Sequence, residues 1–268
     1  MIVAIVSKKG GVGKTTTTVC LAAALAALGR RVLLADLDSQ ASASISFGFG
    51  RSALAPSLAD VLLWDAPVRE AVRPTGVPGI DLLTASADLA SADIELGTYR
   101  QRERRLARAL SPIAPDYDYV LLDCPPGLSL LPLNALAAAD VFVTPVAPHF
   151  LAVHALDSLL TAAERVRAHY NRDLALGGIL LTLVDYRSRE TRRNVDAIRA
   201  EYGPDVFGVE VRINVRLAEA PAAAQTIFEY APQATGAAAY RLVAEELEMR
   251  LERLAAARRM SGARAAEG

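Results

Sequence analysis

The segment SKKGGVGKTTTT, residues 7–18, follows directly on the short apolar run IVAIV at 2–6. The spacing of Gly13, Lys14 and Thr15, with further glycines upstream, is that of a phosphate-binding loop between a strand and a helix. Glycines let backbone N–H groups close around a phosphate, Lys14 would bridge β and γ oxygens, and the Thr15 hydroxyl would hold Mg²⁺. The segment therefore predicts a site for a nucleoside triphosphate.

Lysine usage singles out the same segment. The chain has three lysines, Lys8, Lys9 and Lys14, and its other 26 basic side chains are arginines. A lysine ammonium is a compact point charge, and arginine does not replace it well where one charge must sit close to a phosphate. Keeping lysine here alone indicates that this loop needs such a cation.

Apolar runs rich in β-branched residues predict strands, and Ala/Leu-rich periodic segments between them predict helices. Strands alternating with helices predict a doubly wound α/β fold, a mostly parallel sheet with helices on both faces. Ligands bind beyond the carboxyl ends of such strands, where Lys14, Asp36, Asp38 and Asp123 all fall. The predicted strands are 2–6, 31–36, 81–84, 119–123, 141–144 and 178–184, and the predicted helices are 14–28, 86–110, 129–138, 152–169, 188–202 and 237–259.

Composition limits the possible classes of protein. The 268 residues are 52% hydrophobic and carry a formal net charge of −1, so any nucleic-acid contact must come from a local basic patch. Cys20 and Cys124 lie in apolar stretches without metal-ligand or disulfide spacing, and we expect small buried residues in a reducing compartment. No leader or membrane-spanning run is found, which predicts a cytoplasmic protein. We expect one domain, 1–260, and a disordered tail, 261–268.

Three motifs stand in order along the chain: KKGGVGKTT at 8–16, DLDSQ at 36–40 and LLDCPPG at 121–127. The glycine loop with Lys9 just before Gly10 resembles the deviant Walker A signature of the ParA/MinD ATPases. Segments 117–140, 214–221 and 236–246 resemble the ParA (Soj-type) branch, so the resemblance covers nearly the whole chain.

That resemblance implies a slow, Mg²⁺-dependent ATP hydrolase that forms an ATP-dependent homodimer. It implies that Lys9 reaches the partner's nucleotide, that Asp38 orients the attacking water and that Asp123 contacts Mg²⁺ through water. The alternative interpretation of Asp38 is a helix N-cap or a turn former, and the alternative interpretation of Asp123 is an ordinary turn residue. The residues that would bind ATP are Lys9, Gly10, Gly11, Val12, Gly13, Lys14, Thr15, Thr16 and Asn214, of which Thr15 is the metal ligand and Lys9, Lys14, Asp38 and Asp123 are the catalytic group.

The chain departs from the family pattern at three places. Asn214 matches an adenine-contacting position, but Arg212 and Ile213 precede it where Pro-Arg is common, and an ordinary turn residue is the alternative. Lys8 replaces a small or amide residue. The sequence 147–149, Ala-Pro-His, replaces a common Gln-x-Glu, so the role of that loop cannot be transferred. His149 and His154 lack the i,i+4 spacing of a helical metal pair and are predicted to be surface or packing residues.

The resemblance further implies that the ATP-bound dimer binds DNA without sequence preference and associates with the nucleoid. The candidate patch comprises Arg187, Arg189, Arg192, Arg193 and Arg216. A solvated helix face in an arginine-rich protein is the alternative interpretation. A MinD-like membrane ATPase is the rival function, but the C-terminal segment 247–268 lacks the Trp and Phe anchors expected of a membrane-binding helix.

Two other classes on this fold fit less well. An iron–sulfur reductase needs cluster cysteines at a dimer seam, which Cys20 and Cys124 do not suit. A metabolic ATP-dependent ligase would show substrate-binding insertions, and none is recognisable. The resemblance implies a ParB-like or other adaptor that stimulates hydrolysis, whereas the cargo can be a chromosome, a plasmid or a protein assembly.

Overall fold

The computed structural model describes residues 1–50 and 54–266, with side chains described as far as residue 259. Seven strands form a single sheet in the order β3-β4-β2-β5-β1-β6-β7. All neighbouring pairs are parallel except β3 with β4. The strands are β1 Ile2–Ile5, β2 Val32–Asp36, β3 Val72–Pro74, β4 Ile80–Leu83, β5 Tyr119–Asp123, β6 Val141–Val146 and β7 Ala175–Leu181. The prediction of a mostly parallel, doubly wound sheet is confirmed.

Helices cover both faces of this sheet. In chain order they are α1 Lys14–Ala27, α2 Ser42–Ser46, α3 Leu58–Trp64, α4 Val68–Ala71, α5 Ala92–Glu95, α6 Arg105–Leu110, α7 Leu130–Ala138, α8 Ala152–His169, α9 Arg189–Tyr202, α10 Val215–Glu219, α11 Ile227–Tyr230 and α12 Thr235–Ala266. The last helix extends through 261–266, past the predicted end at 259 and into the predicted tail. Within the described residues, no helix combines the length and apolarity that crossing a membrane requires.

Alternation along the first strand sends its side chains into two different cores. Ala4 and Val6 of the first strand segment face the core that α3, α6, α7 and α8 cover, whereas Val3 and Ile5 face the core under α1 and α12. The second core contains a buried hydrogen bond, 3.0 Å between the hydroxyl oxygens of Thr17 in α1 and Tyr240 in α12. Because central strands buried on both faces must be apolar at every position, the apolar runs identified them correctly.

Two further predicted elements differ from the structure in extent. The predicted strand 178–184 lies three residues earlier, at Ala175–Leu181, and includes Gly177 and Gly178. A Cβ on Gly178 would lie 2.5 Å from the Phe207 ring, so close packing requires glycine at this position. Glycine weakens the sequence pattern of a strand, which explains the shifted prediction. The predicted helix 86–110 is instead a series of short helices and turns, in which Gln101 has a positive φ of 56°. Tertiary contacts hold these turns, including the Arg105 guanidinium, which donates to Leu62 O at 2.6 Å.

Candidate phosphate-binding site

The loop between β1 and α1 has the backbone that its glycines predict. Gly11 and Gly13 have φ of +71° and +80°, in the left-handed region that favours glycine. Gly13 is also the residue preceding α1, and no side chain caps the N–H groups of the first helical turn. Unpaired N–H groups and the positive end of the helix dipole together make an anion-binding site. The loop can therefore hold a phosphate.

The Lys14 side chain lies inside this loop. It is 7% exposed, and its Nζ donates to the backbone oxygen of Lys9 at 3.0 Å. Burial lowers the pKa of Lys14, and the nearby Asp123, Cys124 and Asp38 oppose that shift. Among the described residues, the hydrogen-bond partner of this buried ammonium is a neutral carbonyl, so a phosphate oxygen would add a charged acceptor.

Two buried carboxylates lie side by side beneath the loop. Asp36 and Asp123 end β2 and β5 and are direct partners in the parallel register. Asp36 accepts hydrogen bonds from Ser44 N, Ser44 Oγ and Asp38 N at 2.9, 2.8 and 3.1 Å. Asp123 Oδ1 accepts from Thr18 Oγ1 at 2.9 Å, while its buried Oδ2 has no hydrogen-bond partner among the described residues.

Burial and mutual repulsion keep this pair from ionising easily. Burial raises the pKa of Asp36 to about 6. Burial and then the charge of Asp36 raise the pKa of Asp123 to about 7, against the hydroxyls of Thr15 and Thr18 and the ammonium of Lys14, which lower it. An unpartnered carboxylate oxygen of this kind is a natural acceptor for a water bound to a cation.

A cavity of about 640 Å³ opens above these residues. Its lining combines the loop and Asp38 with the apolar residues Ile45, Leu183, Leu217, Pro221 and Ile227. Leu183 has a positive φ of 52°, which a leucine adopts only where surrounding structure compensates, and such residues cluster at binding sites. This mixed lining suits a ligand that carries both charged groups and an apolar ring.

Most of the predicted site residues meet at this cavity. Its lining includes Gly10, Gly11, Gly13, Lys14, Thr15, Thr16 and Asp38. Val12 is buried, and its backbone oxygen accepts from Thr182 Oγ1 at 2.8 Å, which ties the loop to the end of β7. Asp38 Oδ1 accepts a hydrogen bond from Gln40 N at 3.0 Å. Asp38 therefore stabilises a turn, as the alternative interpretation expects, and also lines the cavity.

Lys9 and Asn214 are placed differently. The Lys9 side chain contacts the loop after β6, with Nζ 3.3 and 3.4 Å from the two ring nitrogens of His149. Asn214 is not among the residues that line the cavity. Its Oδ1 accepts from Arg216 N at 2.9 Å at the start of α10, and its Nδ2 donates to Thr235 Oγ1 at 2.8 Å. Asn214 therefore acts here as a helix cap, and its adenine contact stays a prediction.

The residues at the cavity fit Mg²⁺ bound together with a nucleotide. Among the described residues, no group of three or more His, Cys, Asp or Glu side chains is arranged to hold a metal ion. Mg²⁺ keeps several waters and is usually bound by one or two protein oxygens plus phosphates, so a dedicated cage is not expected. Thr15 lines the cavity, whereas Asp123 is buried beneath the loop and is not among the lining residues. The Thr15 hydroxyl and the unpartnered Oδ2 of Asp123 are the oxygen groups that this arrangement needs.

The basic segment also starts at the carboxyl edge of the sheet, after β7. Arg187, Arg189, Arg192 and Arg193 are all exposed. Arg187 is paired with Asp185 at 2.7 Å, and Arg216 with Glu219 at 2.7 Å. For Arg189, Arg192 and Arg193, no ion pair with another described residue is found. The Arg192 and Arg212 guanidinium groups lie over the Tyr186 ring, 5.8 and 5.2 Å from its centre.

Sequence reasoning did not assign the supporting residues of the site. Thr18 binds Asp123 and Ser44 binds Asp36, and both are buried. Thr18 lies four residues after Lys14, a helical spacing that could have placed it on the same face of α1. For Thr182 and His149 the sequence holds no comparable signal, because their partners in the loop are 170 and 140 residues away.

A glycine loop leading into a helix, a buried lysine and a carboxylate ending a neighbouring strand define a P-loop nucleotide-binding protein. The family described as AAA domain matches residues 1–176. The chain is 41% identical to the chromosome partitioning protein ParA of Caulobacter vibrioides, over 92% of this chain and 93% of that protein. It is 43% identical to the chromosome-partitioning ATPase Soj of Thermus thermophilus, over 93% of this chain and 96% of that protein.

A solved structure gives the same picture of the fold. It is the cobyrinic acid a,c-diamide synthase of Mycobacterium smegmatis with a bound ATP analogue and magnesium, and it is 34% identical to this chain. The TM-score is 0.81, and the match covers 94% of this chain and 95% of that one. The chain belongs to the ParA/Soj family of partitioning ATPases.

Proposed function

We propose that this chain binds ATP and Mg²⁺ in the cavity at the carboxyl edge of the sheet and forms a homodimer when ATP is bound. The observation that supports this most strongly is the unpartnered Oδ2 of Asp123 beside the buried ammonium of Lys14. Asp123 Oδ2 lacks a hydrogen-bond partner among the described residues and Lys14 donates to a neutral carbonyl, so a bound metal–phosphate group would supply a partner for each. Residues 1–260 act as one ATPase domain.

Each site residue has a distinct role in this proposal. The N–H groups of residues 10–16 and the Lys14 ammonium bind the phosphates. Thr15 would hold Mg²⁺, and Asp123 would accept a hydrogen bond from a water bound to the ion. The ion would neutralise part of the phosphate charge. Asp38 orients the attacking water. Lys9 of each protomer reaches the nucleotide of the other, and its charge stabilises the transferring phosphoryl group. Hydrolysis is slow until a ParB-like or other adaptor stimulates it.

The ATP-bound dimer binds DNA without sequence preference and moves or positions a chromosome, a plasmid or a protein cargo from a cytoplasmic, nucleoid-associated location. Arg189, Arg192 and Arg193 support this because they are exposed and have no acidic partner among the described residues. Arg187 and Arg216 would exchange Asp185 and Glu219 for phosphates. Dimerisation places two weak patches on one DNA molecule, so affinity rises steeply with ATP.

Co-sedimentation with DNA tests this proposal. The double variant Arg192→Ala, Arg193→Ala should keep basal ATPase activity and lose most DNA binding at moderate salt. The slope of log affinity against log salt should fall by about one unit for each phosphate contact removed. The matched control is Arg165→Ala, Arg167→Ala, which removes the same charge from exposed positions late in α8. An equal loss in both double variants would indicate an effect of net charge rather than of this patch.

A parallel measurement with anionic liposomes, each with ATP and with ADP, separates the alternatives. Membrane attachment of the MinD type requires an amphipathic helix with bulky apolar anchors, and the segment 247–268 contains no Trp or Phe. We therefore expect no ATP-dependent binding to liposomes. Liposome binding without DNA binding would replace this proposal with a membrane-associated positioning ATPase. Identities of 41% and 43% to partitioning proteins, against 34% to the synthase, favour partitioning over amide synthesis.

A further inference from the structure

The side chain of Lys9 does not extend freely from the loop. Its Nζ lies 3.4 Å from Nδ1 and 3.3 Å from Nε2 of His149, which follows β6. Both side chains are half-buried and border a narrow cleft. The Lys9 ammonium is therefore directed towards its own protomer in the isolated chain.

Hydrogen bonds fix the backbone of the loop that carries His149. His149 N donates to Ala147 O at 2.9 Å, and Ala152 N donates to His149 O at 2.8 Å at the start of α8. From α9, the Asn194 side-chain amide donates to Pro148 O at 3.4 Å. The preceding lysine makes a similar contact, because Lys8 Nζ donates to Ser158 Oγ in α8 at 2.9 Å. Two consecutive lysines thus attach the phosphate loop to the same region of the chain.

The charges around His149 suit an ammonium donor. A neutral imidazole has one acceptor nitrogen, whereas a protonated imidazole has none and would repel Lys9. Burial and then the charge of Lys9 lower the pKa of His149, and its backbone hydrogen bonding and Glu190 of α9 oppose the shift. Lys9 from the loop and Glu190 from α9 are the charged groups acting on the ring. At neutral pH the ring is therefore neutral and does not repel the Lys9 ammonium that lies against it.

From this geometry we propose that His149 is a positioning residue that holds the Lys9 ammonium within its own protomer until pairing with a second copy draws Lys9 away. The inference rests on the proposed role of Lys9 across the dimer. Lys9 cannot contact His149 and a nucleotide in a second protomer at the same time. Each protomer must therefore break this contact before it pairs, which restrains pairing when nucleotide is scarce.

The chain has three histidines, so the ring signals of His149 can be followed directly by NMR. In the nucleotide-free protein, Lys9→Ala should raise the pH midpoint of His149, because it removes the cation next to the ring. Lys8→Ala is the matched control and should leave that midpoint unchanged. His154 and His169 provide internal reference signals. An equal His149 midpoint in the wild type and in Lys9→Ala would overturn the contact, whether or not the protein forms dimers.

The second measurement adds Mg²⁺ and a non-hydrolysable ATP analogue to the wild type. If pairing draws Lys9 away, the His149 signal should shift towards that of Lys9→Ala as the dimer forms, measured in parallel by light scattering. If the dimer forms and the His149 signal stays at its nucleotide-free position, the inference that pairing releases Lys9 is wrong. If no dimer forms, the proposed function is contradicted and the proposed release of Lys9 on pairing is rejected with it. The pH titration of His149 would still test the contact between Lys9 and His149.

Substitution of His149 separates this role from a purely structural one. His149→Ala should lower the analogue concentration at half-dimerisation about 2- to 10-fold, the range expected for losing one hydrogen bond. His149→Gln keeps a neutral polar side chain and should restore the wild-type value at pH 8, without the pH dependence that protonation of His149 produces in the wild type. Equal behaviour of the Ala and Gln variants would indicate that His149 acts through packing, and would overturn the inference.

Discussion

Asp36 and Asp123 lie directly opposite one another on neighbouring parallel strands, and both are fully buried. Asp36 is surrounded by hydrogen-bond donors from Ser44 and Asp38, whereas one oxygen of Asp123 has no partner among the described residues. Two adjacent buried carboxylates cannot both ionise without cost. The nucleotide-free protein therefore carries a destabilising charge at the position where a bound cation would neutralise it.

This arrangement predicts the effect of Asp123→Asn on stability. Burial raises the pKa of Asp123 to about 7 in the folded chain, above its unfolded value, so the folded state holds more protons between about pH 4 and pH 7. Stability therefore falls as pH rises through that window. Asn keeps an acceptor for Thr18 and removes the charge. Without nucleotide, Asp123→Asn should be more stable than the wild type by roughly 1–3 kcal/mol at pH 8.

The measurement is denaturant unfolding at pH 5 and pH 8 in buffer with EDTA. The difference between the variant and the wild type should shrink at pH 5, where the wild-type carboxyl is protonated. Asp173→Asn, at an exposed position, is the control and should show little change at either pH. A variant that is less stable than the wild type at pH 8 would show that the charge of Asp123 is compensated within the protein.

A second prediction concerns Gly178 in β7. Its φ is +153°, and a Cβ there would lie 2.5 and 2.9 Å from two atoms of the buried Phe207 ring. Gly178→Ala should lower the free energy of unfolding by about 2–4 kcal/mol, because both the backbone and the packing are incompatible with a side chain. Gly76→Ala, where a Cβ meets no atom within 4 Å, is the matched control. Equal stability of the two variants would contradict the packing argument.

The sequence predicted what depends on local pattern. Apolar runs located the central strands, and the glycine spacing located the loop before α1, because a buried parallel strand and a phosphate loop both impose their requirements on consecutive residues. The predictions failed where distant contacts decide. Phe207 requires a glycine inside β7, and contacts to Leu62 and Asn134 break up the segment 86–110. The Lys9–His149 contact joins residues 140 apart, and no local pattern marks it.

A third prediction tests Lys14 as the main counter-charge for phosphate. Lys14→Ala should abolish ATP binding while leaving the fold intact, because the loop conformation depends on Gly11 and Gly13 rather than on this side chain. Lys8→Ala is the matched control, since Lys8 is exposed and donates to Ser158. Equilibrium binding of a fluorescent ATP analogue measures the effect. Near-unchanged affinity of Lys14→Ala would exclude this loop from the site.

The last prediction separates nucleotide binding from turnover. Asp38 lines the cavity, and among the described residues its side chain accepts a hydrogen bond only from Gln40 N, within its own turn. Asp38→Ala should therefore bind ATP and form dimers but hydrolyse ATP slowly, since the attacking water loses its orienting group while the phosphate loop is unchanged. Removing one such group typically lowers the rate about 100-fold or more.

Lys9→Ala provides the contrast. Its monomer should still bind nucleotide, because Lys14 and the loop N–H groups remain, but it should lose the ATP-dependent dimer or its hydrolysis. Binding, light scattering and phosphate release on the same preparations distinguish the two variants. If Asp38→Ala stays monomeric with ATP, the carboxylate supports pairing rather than the attacking water. If it turns over at the wild-type rate, the water is oriented by another group at the cavity.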